Sequence, residues 1–175
     1  MKFLVFIIGL GILATAYFFL RPGGNDAPAG DIISSMKITS PAFGQNERIP
    51  AKYTCDGENV NPALVVSDVP AEAKSLALIS DDPDAPVGTW THWTLWNIAP
   101  DSQEIAENSV PFGAVEGKTS FGNSGYGGPC PPSGTHRYFF KLYALDAMLD
   151  LTPDAGAREL EEAMKGHVLL RAELV

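Results

Sequence analysis

Residues 80–100 read SDDPDAPVGTWTHWTLWNIAP, and the fold turns on how that stretch is taken. Three aspartates, three tryptophans and a histidine fall within its 21 residues, a mixture no solvated loop requires. The apolar run Ser75-Leu76-Ala77-Leu78-Ile79 leads into it, and Trp93-Thr94-Leu95-Trp96-Asn97-Ile98 leads away. The first is nearly continuous and the second alternates, and both predict strands. Pro83 and Pro86 cannot donate to a sheet ladder, which places the segment between them in a rigid connection at a sheet end. Polar side chains held by such a loop, beside aromatics, predict a ligand pocket.

A second stretch answers it. Residues 122–135, GNSGYGGPCPPSGT, form a long Gly/Pro loop running into His136-Arg137-Tyr138-Phe139-Phe140-Lys141-Leu142-Tyr143-Ala144-Leu145, which has strand composition. With a period of two, His136 and Tyr138 share one face at that strand's start, and Arg137 turns away toward an ion pair with an acid of DPDAP. Asp81 and Asp84 are expected to brace their own turn through Asx bonds.

The bulk numbers limit the classes of function. The chain has 175 residues, 45% of them hydrophobic, and about 140 remain once an N-terminal segment is set aside, enough for one core. Seventeen glycines and 14 prolines favour many turns and a β-rich fold. A formal charge of −9 argues against a nucleic-acid surface, and it obliges any anion site to work through local donors against an unfavourable field.

Residues 3–20 carry no charge and are just long enough to span hydrocarbon; Arg21 closes the run. Ala14-Thr15-Ala16 offers a signal-peptidase site as the rival, but cleavage there leaves Tyr17-Phe18-Phe19-Leu20 at the new terminus, which favours an uncleaved anchor. Charge at the start of the chain outweighs Arg21, so the domain lies outside the cytoplasm, periplasmic or extracytoplasmic, with the membrane a partner through residues 3–20. The chain thus divides into 1–21, anchor or signal; 22–35, a Gly/Pro linker; and 36–175, the domain. Within the domain, strands are expected at 36–40, 48–55, 64–66 and 168–175. Residues 101–121 are expected to be surface loop with one turn of helix, able to wall the site. The clearest helix starts with Thr152 as N-cap and Pro153 at N1, buries Leu160, Ala163 and Met164, and stops at Gly166. Asp56-Gly57 marks a turn, an ordinary hairpin being the plain alternative.

The polar residues suit an anion. His92 and His136 supply N–H donors, Tyr138 a phenolic O–H, and the Gly125–Gly128 backbone N–H groups at close range. Asp82 is the exception, since a carboxylate repels phosphate. Its expected task is to accept from a histidine N–H, fixing the tautomer so that the other ring nitrogen donates outward. Pro86 and Trp90 supply apolar walls.

DPDAP followed by W-x-H, then GGPCPPSGTHRY and LYALD, with YTCDGENVNPAL upstream, resembles the phosphatidylethanolamine-binding proteins, also called Raf-kinase-inhibitor-like proteins, and above all their bacterial and archaeal branch. The resemblance spans roughly residues 40–175. It implies a mainly β fold of two antiparallel sheets with one or a few peripheral helices, and a small non-catalytic pocket for phosphate, phosphorylethanolamine or a similar anion. Carried over residue by residue, the ligand set is Asp82, Pro86, Trp90, His92, Gly128, His136 and Tyr138, with no cofactor. Animal members continue beyond the position of Val175 into a helix that closes the pocket, so a more open site is expected. Cys55 and Cys130 each fall in a loop that the resemblance places near the pocket; an exported domain permits a bond between them, and two unlinked thiols are the alternative.

Two other classes compete. Asp81, Asp82, Asp84, His92 and His136 have the donor types of a metal-assisted hydrolase, but no HExxH or CxxC spacing occurs, and Ser124 lacks a G-x-S-x-G elbow. An exported inhibitor of a protease or kinase, acting through its surface on a protein partner, is the other; the sequence names no partner.

Overall fold

A computed structural model describes residues 35–175. The expected anchor or signal and most of the linker lie outside the described residues. Eight strands form two antiparallel sheets. The small one has the order β1-β2-β5, from β1 (Lys37–Thr39), β2 (Leu64–Ser67) and β5 (Glu104–Ile105). The large one runs β6-β4-β3-β7-β8, from β6 (Val115–Glu116), β4 (Trp90–Ile98), β3 (Ser75–Asp82), β7 (Phe139–Leu145) and β8 (Val168–Leu174). Two antiparallel sheets with, among the described residues, one α-helix agree with the mainly β fold, with one or a few peripheral helices, expected from the sequence.

The continuity of Leu76-Ala77-Leu78-Ile79 follows from their place. β3 is central and covered on both faces: Leu76 and Leu78 join Trp93, Leu95, Phe140, Ile38 and Leu64 between the sheets. Ala77 and Ile79 join Trp96 under Leu160 and Met164 of helix α1 (Ala157–Met164). Every residue of β3 is buried, so alternation in hydrophobicity has no solvent face to produce it.

Two bulges in β4 then decide where its side chains go. Leu78 pairs with Leu95 and Leu76 with Ile98, which leaves an extra residue on β4. Asn97, at φ 57°, takes the left-handed conformation there, and its side-chain amide is held at both ends by the Leu149 backbone, at 2.9 and 2.8 Å. At the other end Ser80 pairs with Trp93 and Asp81 with Thr91, so His92 is the extra residue.

Three expectations change. Residues 48–55 form no strand: Pro50 leads into a single 3-10 turn, Ala51–Tyr53, because Tyr53 N–H and Thr54 N–H bond locally to the Pro50 and Ala51 carbonyls. Residues 101–121 hold the short strands β5 and β6 rather than a turn of helix. The α-helix begins at Ala157 with Gly156 as N-cap, not at Pro153. The Ala155 carbonyl accepts from Lys118 N–H at 2.8 Å, which withdraws it from helical bonding, and the Glu159 carboxylate takes the Gly156 N–H at 3.2 Å. Gly166, at φ 82°, ends the helical segment as expected.

Candidate functional site

The loop of residues 53–59 and the Gly/Pro loop of residues 122–135 converge. Cys55 and Cys130 are disulfide-bonded across 75 residues of chain, with Cα atoms 5.4 Å apart. Cys55 N–H donates to the Pro129 carbonyl at 3.1 Å, and Gly128 N–H to Asn59 Oδ1 at 2.8 Å. Position 128 admits no side chain, since a Cβ there would stand 2.4 Å from the Tyr53 carbonyl oxygen. Gly128 therefore permits close approach of two loops, and its N–H is committed to Asn59 rather than free for a ligand. Gly127 N–H is committed likewise, to the His92 carbonyl at 2.9 Å.

Each acid at the end of β3 meets a base from β7 or its lead-in. Asp81, on the helix-facing side, pairs with Lys141 at 2.5 Å. Asp82, on the face toward the small sheet, accepts from His136 Nδ1 at 2.7 Å and from Asp84 N–H at 2.8 Å. Asp84 takes Arg137 through Nε and Nη2, at 2.9 and 2.6 Å, and Arg137 N–H at 2.9 Å, which holds its carboxyl far below the usual carboxylate range. The turn-bracing bond is thus made by Asp82, and the two acids expected to make it are ion-paired instead.

The histidine that Asp82 fixes is His136. With Nδ1–H donated to the carboxylate, Nε2 is the ring nitrogen left for an outside partner. His92 sits deeper, 4% exposed, and its Nδ1 donates to the Gly127 carbonyl at 2.6 Å. Burial lowers its pKa, partly offset by the Gly127 bond and by Asp82, so it is neutral at pH 7. Its ring stands edge-on to Tyr138 and Phe121, at 5.3 and 5.5 Å between centroids, and Phe121 also covers Trp90 at 5.5 Å. Phe121 was not singled out from the sequence; the only signal was that its segment could wall the site.

Tyr138 completes the front. It is 9% exposed, and among the described residues its hydroxyl closes no hydrogen bond of ordinary geometry. Burial, then the Asp82 charge, push its pKa up to about 12, with the Cys130 backbone pulling the other way. His136 and Tyr138 both line a cavity of about 470 Å³. The other five candidates do not line it: Asp82 stands behind His136, His92 and Trp90 behind Phe121, Pro86 lies exposed on the turn, and Gly128 lines a separate cavity of about 270 Å³ with Phe121 and the cysteines.

Two antiparallel sheets with a histidine, a tyrosine and paired acids at one end define the class by its fold, and comparison with known proteins gives it a family. The phosphatidylethanolamine-binding protein profile matches residues 39–175, and the chain belongs to that family. It is 55% identical over 145 residues to a UPF0098 protein of Methanothermobacter thermautotrophicus, covering 80% of this chain and 96% of that one. A UPF0098 protein of Pyrococcus horikoshii is 48% identical over 154 residues, covering 83% and 77%. Among solved structures, a phosphatidylethanolamine-binding protein homologue from Chlamydia trachomatis superposes with TM-score 0.78 at 44% identity, over 81% of this chain and 95% of that one. YbcL of Escherichia coli, described as a member of the mammalian family, does so with TM-score 0.76 at 30% identity, over 80% and 95%.

Proposed function

We propose that this protein is a non-catalytic binding protein whose cup takes a small anion, phosphate or a phosphorylated group, between His136 and Tyr138. The observation that carries this is the Tyr138 hydroxyl, buried and closing no hydrogen bond of ordinary geometry among the described residues, beside the Asp82–His136 pair at the wall of an open cavity. A buried hydroxyl left unmade costs stability, and a ligand oxygen is the partner it lacks. Asp81, Asp82 and Asp84 are each matched by a basic side chain, so none of the three acids beside His136 faces the cavity without a partner of its own. Pro86, Trp90, His92 and Gly128 act behind this front, as shape rather than as donors. The domain is exported, which the Cys55–Cys130 disulfide supports. Among the described residues no three His, Cys, Asp or Glu side chains converge as metal ligands, and no helix is long and apolar enough to cross a membrane.

Replacing Tyr138 by Phe tests this in two opposite directions. Without phosphate, Tyr138→Phe leaves stability unchanged or raises it by about 1 kcal/mol in urea unfolding, because the orphaned hydroxyl is gone. In calorimetry with inorganic phosphate or phosphorylethanolamine, the same variant binds at least threefold more weakly. A variant that loses stability and binds normally would show the hydroxyl to be structural.

A further inference from the structure

The cavity is far larger than an inorganic phosphate needs and lies in the range that holds an organic molecule. Beyond His136 and Tyr138 its wall carries Glu47, Arg48 and Asp56. Arg137, also on the wall, is neutralised by its two side-chain bonds to Asp84. Arg48 is exposed and, among the described residues, makes no hydrogen bond or ion pair through its side chain. Neither acid has a cation there either: Glu47 Oε2 takes only Gly44 N–H, at 2.9 Å, and the Asp56 carboxylate has no partner among the described residues. The backbone under these charges is fixed. Asn46 N–H donates to the Val175 carbonyl at 2.6 Å, Glu47 N–H to the Gly44 carbonyl at 3.1 Å, and Asp56 follows the disulfide-bonded Cys55.

A chain of net charge −9 that leaves a guanidinium unpaired on the cavity wall has a second acceptor of anions there, and two uncompensated carboxylates beside it complement an ammonium group. We infer that the ligand bears a carboxylate and an amine beyond its phosphate, the carboxylate taken by Arg48 and the amine by Glu47 or Asp56. That is the chemistry of an O-phosphorylated α-amino acid such as phosphoserine, free or as a lipid headgroup. The inference rests on the proposed phosphate site, which supplies its third point of contact.

Phosphorylethanolamine differs from O-phospho-L-serine only in lacking the carboxylate, so the two esters isolate Arg48. Calorimetry on the wild-type chain is expected to show phosphoserine binding roughly three- to tenfold more tightly. Arg48→Gln should weaken phosphoserine to the level of phosphorylethanolamine and leave the latter unchanged, with Arg48→Lys intermediate. Equal affinities in the wild type, or a preference that survives Arg48→Gln, overturn the assignment while the phosphate cup stands. If inorganic phosphate and both esters give no binding, the cup itself fails and this inference with it. Sedimentation with phosphatidylserine vesicles, lost in Arg48→Gln and absent with phosphatidylglycerol vesicles, would identify the headgroup as the source; binding of the free ester alone would identify the soluble one.

Discussion

The two imidazoles, His136 and His92, each bond through Nδ1 and end in different surroundings. Each donates from Nδ1, His136 to the Asp82 carboxylate and His92 to the Gly127 carbonyl. One wall is ionic, with three acids from the end of β3 facing three bases from β7 and its lead-in. The other is neutral, held by backbone bonds and edge-on rings, and burial keeps His92 uncharged. Residue type alone does not distinguish them; the acceptor that each Nδ1 finds, and the depth at which it finds it, does. On the function proposed above, anion recognition falls to the ionic wall, and the neutral wall gives it shape.

The largest expected effect loosens the neutral wall. The disulfide holds the loop of residues 53–59 against Gly128, and opening it frees 75 residues of chain, a loss of about 4 kcal/mol in the chain-entropy picture. Thermal melts with and without reductant should differ accordingly, and a Cys55→Ala, Cys130→Ala variant should match the reduced protein. Breaking the ionic wall comes next. Asp82→Ala removes a carboxylate that is 3% exposed and leaves His136 without its acceptor, at a cost of about 3 kcal/mol in urea unfolding. Asp84→Ala, whose Arg137 partner is exposed, should cost less. If Asp84→Ala proves the more damaging, the ionic wall is held from its rim and not from its centre.

The smallest effect is a matter of pH. His92 has a lowered pKa in the folded protein, so below its ordinary value near 6.5 the unfolded chain binds a proton that the folded one refuses. Stability should be full above that value and fall as pH drops from it through the lowered folded pKa. The difference in unfolding midpoint between pH 7 and pH 5 should shrink in His92→Gln. An unchanged difference would mean that His92 carries no such burden.

Much of this was legible in residues whose local chemistry and tertiary place agree. The prolines of DPDAP, the buried run before them and the His-x-Tyr spacing placed the connection, the central strand, and His136 with Tyr138 on the wall of one cavity. The helix start was missed because Thr152-Pro153-Asp154 is a good N-terminal signal by itself, and only the long-range bond from Lys118 to the Ala155 carbonyl delays it. The bulge at His92 was illegible for a similar reason. W-x-H with period two puts Trp90 and His92 on one face, but nothing in the sequence says that the alternation slips between His92 and Trp93. That slip lets His92 reach Tyr138 while Trp93 stays in the core. The commitments of the Gly127 and Gly128 N–H groups depend on His92 and Asn59, distant in sequence, and glycine content alone suggested the opposite use.

The most direct test of the cup is an NMR titration of the histidine imidazoles and the Tyr138 ring with phosphate. Saturating phosphate should shift the His136 Nε2 and Tyr138 signals, hold His136 protonated to higher pH, and leave His92 neutral; His136→Ala should abolish the response at Tyr138. A His136 resonance that titrates identically with and without phosphate, beside an unmoved Tyr138, would contradict the account.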